Sequence, residues 1–158
     1  MSMNRNQLKQ AYLNDSNINT DRVVVVSMRS NKQLSEMTRL LRLLNYSTNY
    51  GLNRYSLKKN SKFPRVAFYC NNEDAFNNTH SHIYLSVPPC YEFDRVVELM
   101  KVEWAKLDRV YDRQLERYIP NPHPSFDLYS EVVVNDDAYA IYSVKDFDNN
   151  NEDTFVPI

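Results

Sequence analysis

The chain contains a single glycine, Gly51, among its 158 residues. Loops that wrap nucleotide phosphates need several glycines at fixed spacing, because glycine alone lets the backbone turn tightly and approach a phosphate closely. The sequence therefore excludes both a G-x-G-x-x-G dinucleotide loop and a Walker A phosphate loop.

The length and composition favour one soluble globular domain. Apolar residues make up 42% and charged residues 25% of the chain, which is typical of a folded protein. No apolar run approaches the roughly 20 residues of a membrane-spanning helix, and the first residues lack the apolar segment of a secretory signal. Cys70 and Cys90 show no C-x-x-C spacing, so we expect reduced thiols in a cytoplasmic protein.

The net charge of −1 conceals two halves of opposite charge. Residues 1–65 carry 12 Lys and Arg against 3 Asp and Glu, a charge of +9, and residues 66–158 carry 7 against 17, a charge of −10. The basic half is compatible with a phosphate-binding face. Pairing of the two halves across the fold explains the asymmetry equally well.

The order of apolar patterns predicts an α+β domain with a central, largely antiparallel sheet. Short polar connections join the strands, so hairpins are expected, with helices packed on the sheet. The predicted strands are Val23–Met28, Tyr55–Lys58, Arg65–Cys70, His80–Val87 and Phe126–Val134, with a turn at Asn71–Thr79. The predicted helices are 31–45, 93–117 and 138–146. Residues 1–20 are predicted to be a flexible arm, 21–147 the domain, and 148–158 an acidic, frayed tail.

Two histidines are expected on one face of a strand. Side chains alternate between the faces of a strand, so Ser81, Ile83 and Leu85 share the core face. His80 and His82 then share the opposite face. Two neutral imidazoles one pleat apart can hold a single metal ion. Two exposed histidines on the solvent face of a hairpin are the alternative.

A second motif lies on the predicted last helix. Tyr142, Lys145 and Asp146 are three and four residues apart, so they share a helix face. A tyrosine hydroxyl can act as a nucleophile when a metal ion or base activates the reaction. The alternative is that Tyr139 and Tyr142 pack against the sheet edge. A second Tyr-x-x-Lys match, Tyr55 to Lys58, shows that the motif alone is weak.

In combination, these motifs resemble the HUH single-strand DNA endonucleases, and among them the nuclease domain of rolling-circle replication initiators (Rep type). The resemblance covers residues 22–147 and consists of the apolar strand Val23–Met28, the pair His80-Ser81-His82, and the segment from Tyr142 to Asp146. Rep-type proteins place the tyrosine after the histidine pair, as this chain does, whereas relaxases place it before. The middle residue of the pair is usually bulky and apolar in the family, and here it is Ser81.

The resemblance implies an RRM- or ferredoxin-like sheet and a set of roles for the site. A divalent ion, Mn²⁺ or Mg²⁺, is held by His80, His82 and an acidic or amide residue shortly before them, for which Glu73 is favoured over Asp74, Asn71 and Asn72. Tyr142 attacks the scissile phosphate and forms a 5′-phosphotyrosine link. Lys145 stabilises the developing negative charge, and Asp146 orients a metal ligand. Tyr139 is either a second nucleophile or a packed core residue.

The implied substrate is single-stranded DNA or an extruded hairpin at an origin, in the cytoplasm of a bacterial host. Basic residues of the positive half are candidates for backbone contacts: Arg29, Lys58, Lys59, Lys62 and Arg65. Tyr46, Tyr50 and Tyr55 could stack on unpaired bases. Ordinary polar loops are the alternative for this surface. Two other functions stay open, a non-catalytic nucleic-acid-binding module and a small phage-type structural or adaptor protein.

Overall fold

This computed structural model describes residues 18–28, 34–75, 78–122, 131–132 and 155–157. They form an α+β fold, as the sequence predicted. The strands are β1 (Ile18–Met28), β2 (Ala67–Ala75), β3 (Asn78–Ser86), β4 (Arg109–Asp112), β5 (Arg117–Pro120), β6 (Glu131–Val132) and β7 (Phe155–Pro157). The helices are α1 (Leu34–Asn53), a short 3₁₀ helix (Arg54–Leu57) and α2 (Phe93–Leu107).

Five strands form one antiparallel sheet in the order β6-β1-β3-β2-β7, with β3 at its centre. The hairpin of β2 and β3 keeps one register from Ala75 opposite Asn78 to Ala67 opposite Ser86. Strands β4 and β5 form a separate antiparallel pair. Because β1 and β2 flank β3, both edges of the central strand are hydrogen-bonded.

The core lies between one face of the five-stranded sheet and the two helices. Ile83 and Leu85 of β3 and Phe68 of β2 are fully buried, and they pack against Leu41 of α1 and Trp104 of α2. Burying each such side chain contributes roughly 1.5–3 kcal/mol. Both helices are amphipathic, so each of them needs this cover to be stable. The helices thereby occupy one face of the sheet.

Helix α1 is eight residues longer at its C-terminal end than the predicted helix 31–45. The sequence did not predict this extension because the segment is rich in polar residues. Two of these polar residues, Asn45 and Asn49, make hydrogen bonds inside the fold. The buried Asn49 accepts a hydrogen bond from the Val66 N–H at 2.8 Å and donates one to the Val66 carbonyl at 3.0 Å, and Asn45 donates to the same carbonyl. The predicted strand Tyr55–Lys58 is wrong, since Arg54–Leu57 form the 3₁₀ helix.

Helix α2 ends at Leu107, whereas the sequence predicted a helix over 93–117. The N–H of Asp108 closes the last turn on the Trp104 carbonyl at 2.8 Å, and its carboxylate accepts a hydrogen bond from the Asn121 side chain at 3.0 Å. Tyr111 and Leu115 continue the helical spacing in the sequence, yet they lie in the β4–β5 hairpin. Glu116 has a positive φ of 50°, which fits a tight turn better than a helix.

Strands β1 and β2 extend beyond their predicted bounds, and strand β7 was not predicted. Strand β1 begins at Ile18, inside the predicted arm, and shifts register between Ile18 and Val23. Strand β2 continues to Ala75, so most of the predicted turn Asn71–Thr79 is extended chain. Phe155–Pro157, predicted to be part of the tail, pair with β2. The predicted helix 138–146 lies outside the described residues. Within the described ranges, no helix is long and apolar enough to span a bilayer.

Candidate functional site

His80 and His82 lie side by side on the central strand β3. Ser81 and Ile83, between and after them, are fully buried on the helix-covered face. The two imidazoles therefore lie on the opposite face, as the alternation in the sequence predicted, and both are half-buried. Their ring centroids are 5.3 Å apart, and the ring planes meet at 72°.

This separation suits two ligands of one metal ion. Imidazole nitrogens bind divalent metals at about 2.1 Å, which puts two ring centroids roughly 5 Å apart at coordination angles near 90–110°. The observed 5.3 Å lies close to that value. Partial burial also suits a metal site, because the rings keep a path to solvent while their freedom is restricted. The centroid separation of the His pair is thus compatible with two ligands of one divalent ion.

The sheet register places position 73 beside the histidines. Glu73 is the direct partner of His80 across the β2–β3 ladder, and Asn71 is the partner of His82. Opposite positions of an antiparallel pair lie on the same face. The side chains of both residues lie outside the described set. Among the side chains that are described, no three His, Cys, Asp or Glu residues form a group that could hold a metal ion.

Asn72 can be excluded from the histidine face. Its side chain is 1% exposed and donates a hydrogen bond to the Thr38 hydroxyl of α1 at 3.0 Å. It therefore lies between the sheet and the helices, on the other side of β2 from the histidines. Asp74 is the partner of Thr79, which is buried on the helix-covered face. Of the four residues that the sequence offered as a third ligand, the register therefore leaves Glu73 and Asn71.

The histidine face is not open along its whole length. The alternation predicted Tyr84 and Ser86 on the same face as the histidines, yet each is only 6% exposed. His80 and His82 retain more exposure and lie towards the β2–β3 turn. A ligand can therefore reach this face at the turn end, and Tyr84 borders that region. The alternation of side chains gives the face on which Tyr84 lies, but nothing in the sequence indicates that Tyr84 is buried.

Several predicted site residues lie outside the described residues. They are Tyr142, Lys145 and Asp146 of the Tyr-x-x-Lys-Asp segment, their neighbour Tyr139, and the basic residue Arg29. Their roles stay predictions.

The predicted DNA contacts that are described lie far from the histidines. Lys58, Lys59, Lys62 and Arg65 are exposed, in the segment that joins the 3₁₀ helix to β2. This segment enters β2 at its start, six residues before Glu73 and the histidine end of the sheet. Six residues of strand span about 20 Å. The structure therefore does not bring these four residues together with His80 and His82.

Around Tyr55 the structure reveals two residues, Arg54 and Phe63, that the sequence did not single out. The Arg54 guanidinium lies 4.9 Å from the centre of the Tyr55 ring, and Lys58 Nζ lies 4.8 Å from it. The Phe63 ring centroid is 6.1 Å from that of Tyr55. Arg54 adjoins Tyr55 in the chain, which is a usable signal, whereas Phe63 is brought there only by the loop.

Comparison with known proteins adds nothing to this geometry: no protein-family model, curated protein or solved structure matches the chain. The functional argument therefore rests on the His pair, the register of β2 with β3, and the motifs of the sequence.

Proposed function

We propose that this protein is a metal-dependent endonuclease of the HUH, Rep-like class, which nicks single-stranded DNA through a tyrosine nucleophile. The observation that carries the proposal is the pair His80 and His82. Their rings lie 5.3 Å apart on the central strand of an antiparallel sheet, on the face opposite helices α1 and α2. An RRM- or ferredoxin-like identity of the sheet belongs to the same proposal.

His80, His82 and Glu73 would hold the divalent ion. Imidazole ligands favour Mn²⁺ over Mg²⁺, which prefers oxygen donors, so Mn²⁺ should support activity at least as well. When bound, the ion would withdraw negative charge from the scissile phosphate. The support for Glu73 is its place directly opposite His80 in the register.

Tyr142 supplies the nucleophile in this proposal. Its phenolic oxygen bonds to phosphorus, while the bond from phosphorus to the 3′ oxygen breaks. The phenolic proton leaves the tyrosine and a proton is taken up by the 3′ oxygen, so the products are a 3′-hydroxyl and a 5′-phosphotyrosine. Lys145 compensates the charge that develops on the phosphate, and Asp146 orients a metal ligand. Because the phosphate-ester bond is kept, the strand can be rejoined.

The substrate is single-stranded DNA or a DNA hairpin, in the cytoplasm of a bacterial host. A separate helicase would unwind the duplex, and a separate polymerase would extend the 3′ end. The activity would start rolling-circle replication or nick the DNA of a phage or mobile element. Arg29, Lys58, Lys59, Lys62 and Arg65 would contact the DNA backbone. The four described residues of this set lie near the remote end of β2, so their contacts would be with DNA distant from the nick.

A cleavage assay tests the proposal. The protein is incubated with circular single-stranded DNA in Mn²⁺ or EDTA, and the products are run on a denaturing gel with and without protease. We expect Mn²⁺-dependent linear DNA that carries protein, and its loss in Tyr142→Phe. Tyr111→Phe, which removes the hydroxyl of an exposed tyrosine in the β4–β5 hairpin, is the matched control. Failure of folded, wild-type protein to cut any of several natural single-stranded DNAs would contradict the proposal.

A non-catalytic nucleic-acid-binding module is the second candidate. The observation that favours it is the exposed basic segment around Lys58 and Lys59, which lies apart from the histidines and needs no metal ion. The two functions differ in one result. The module yields no cut product in Mn²⁺, whereas the nuclease yields one that is lost in His80→Ala.

A further inference from the structure

Four exposed aromatic residues with flanking cations lie at the C-terminal end of α1 and in the loop after it. We call them the distal cluster. Its aromatic members are Tyr46, Tyr50, Tyr55 and Phe63, between 42% and 57% exposed, and its central cations are Arg54 and Lys58. So many half-exposed aromatic rings in one short stretch mark a surface that binds something.

The first half of the cluster is a pair of parallel rings. Tyr46 and Tyr50 are one helical turn apart, with ring centroids 6.5 Å apart and an interplanar angle of 15°. The buried residues of α1, such as Leu41, Leu44 and Thr48, lie on the opposite side of the helix. The two rings therefore present nearly parallel surfaces to solvent, away from the sheet. Successive unpaired bases stack on side chains arranged in this way.

The second half holds positive charge against a ring. Arg54 and Lys58 lie within 5 Å of the centre of the Tyr55 ring, and Arg54 Nη2 donates a hydrogen bond to the Tyr55 hydroxyl at 2.9 Å. Such contacts hold the cations beside the aromatic surface. A ligand that met this half would need both a planar group and a negative charge, a combination that each nucleotide provides.

The positive charge around the distal cluster favours a polyanion as its ligand. No Asp or Glu occurs from Met37 to Asn72, a stretch that contains seven Lys and Arg residues. An apolar protein partner is a poorer fit, because the large hydrophobic residues exposed here are mostly tyrosines, whose hydroxyls remain in water. Duplex DNA would use the cations but not the rings. The rings and the cations together point to unpaired nucleotides.

The cluster lies on a different side of the molecule from the histidines. Helix α1 covers the sheet face opposite His80 and His82. Within α1, Thr38 bonds to Asn72 near the histidine end of β2, and Asn49 bonds to Val66 at the other end. The six-residue step from Val66 to Asn72 spans about 20 Å of strand. A strand held at the cluster is thus well separated from the histidine face.

We infer that the distal cluster is a second, metal-independent binding site for single-stranded DNA, and that it holds the strand remote from the nick. The inference rests on the proposed function only for the choice of DNA over RNA. It gives a role to the exposed residues Lys58, Lys59, Lys62 and Arg65, which lie at the end of β2 away from the histidines.

Fluorescence anisotropy in EDTA tests the inference. The probes are a labelled 20-nucleotide oligo(dT), the matching oligo(rU), and a 20-base-pair duplex. The test variant is Tyr46→Ala/Tyr50→Ala. The matched control is Tyr111→Ala/Tyr118→Ala, which removes an equally exposed tyrosine pair from the β4–β5 hairpin. His80→Ala/His82→Ala checks independence from the proposed nuclease site.

We expect the Tyr46/Tyr50 variant to bind oligo(dT) at least 10-fold more weakly. The hairpin control and the histidine variant should bind like the wild type. Equal losses in the two tyrosine variants, or loss in the histidine variant, would overturn the separate site. Tighter binding of oligo(rU) or of the duplex would overturn the choice of single-stranded DNA. This assay does not measure cleavage, so the two proposals can fail separately. If the protein binds oligo(dT) through the distal cluster but does not nick DNA, the second binding site is supported and only the nuclease proposal is contradicted.

Discussion

The two cysteines differ in their surroundings, although the sequence treats them alike. Cys70 is fully buried in the core, and burial raises the pKa of its thiol, because the thiolate would lose its hydration there. Cys90 is exposed. Thiolates, not thiols, react with alkylating agents.

We expect iodoacetamide to modify Cys90 in the native protein and Cys70 only after unfolding. Mass spectrometry of the native protein, and of a Cys90→Ser control, measures this. Equal labelling of both cysteines in the native state would contradict the buried position of Cys70. Because the folded state raises the pKa, Cys70 contributes stability below the ordinary thiol value of about 8.5. That contribution is lost as the pH rises above this value, since the unfolded thiol then ionises more readily.

The histidine pair carries the prediction for metal binding. Each ring supplies one nitrogen, so removing either should leave too few ligands for a tight site. We expect His80→Ala and His82→Ala each to lower Mn²⁺ affinity at least 10-fold, as measured from the electron paramagnetic resonance signal of free Mn²⁺. His123→Ala, which changes the remaining histidine of the chain, should bind like the wild type. Unchanged Mn²⁺ affinity in both pair variants would rule out this site.

At the scale of elements, Gly51 sets how closely the two helices approach. A Cβ built at this position would lie 2.8 Å from Leu99 Cδ2 of α2. The position is helical, and its backbone has no positive φ, so the constraint is space and not conformation. The sole glycine of the chain therefore serves helix packing, a role that the sequence did not suggest.

A double-mutant cycle tests this role. Alanine in a helix is favoured over glycine by about 1 kcal/mol, but in the wild type the new methyl group must displace Leu99. We expect Gly51→Ala to be stabilising in a Leu99→Ala background and less favourable, by about 1 kcal/mol, when Leu99 is present. Urea denaturation of the four proteins measures the difference. Additive effects of the two substitutions would show that the close contact costs nothing.

The elements also show what sequence patterns predict well. The prediction of strand β3 was correct. Side chains alternate along a strand, so the face of every other residue is fixed once Ile83 and Leu85 are assigned to the core. Helix α2 was extended too far because Tyr111 and Leu115 continue a helical spacing by chance. The true end at Leu107 depends on Asp108 and its bond to Asn121, a tertiary contact that local spacing cannot reveal. The length of α1 likewise depends on Asn49 meeting Val66.

At the scale of the whole molecule, the sequence placed the two histidines on one face but could not place Glu73. The position of Glu73 opposite His80 follows from the β2–β3 register. That register depends on a much shorter hairpin connection than the sequence predicted.

The fold also bears on whether the two oppositely charged halves of the sequence pair with each other. The ion pairs Arg39–Glu36, Lys101–Glu98 and Lys106–Glu103 each lie within one helix, so none of these three links the basic half to the acidic half.

The central claim is that Tyr142 becomes covalently attached to DNA at a site organised by His80 and His82. The most direct measurement is the location of that bond. Protein that has reacted with single-stranded DNA in Mn²⁺ is digested with nuclease and trypsin, and tandem mass spectrometry identifies the modified residue. The account predicts a nucleotide joined through its 5′ phosphate to Tyr142, and its absence in His80→Ala. A nucleotide on Tyr139 or Tyr55, or cleaved DNA with no attached protein, would contradict it.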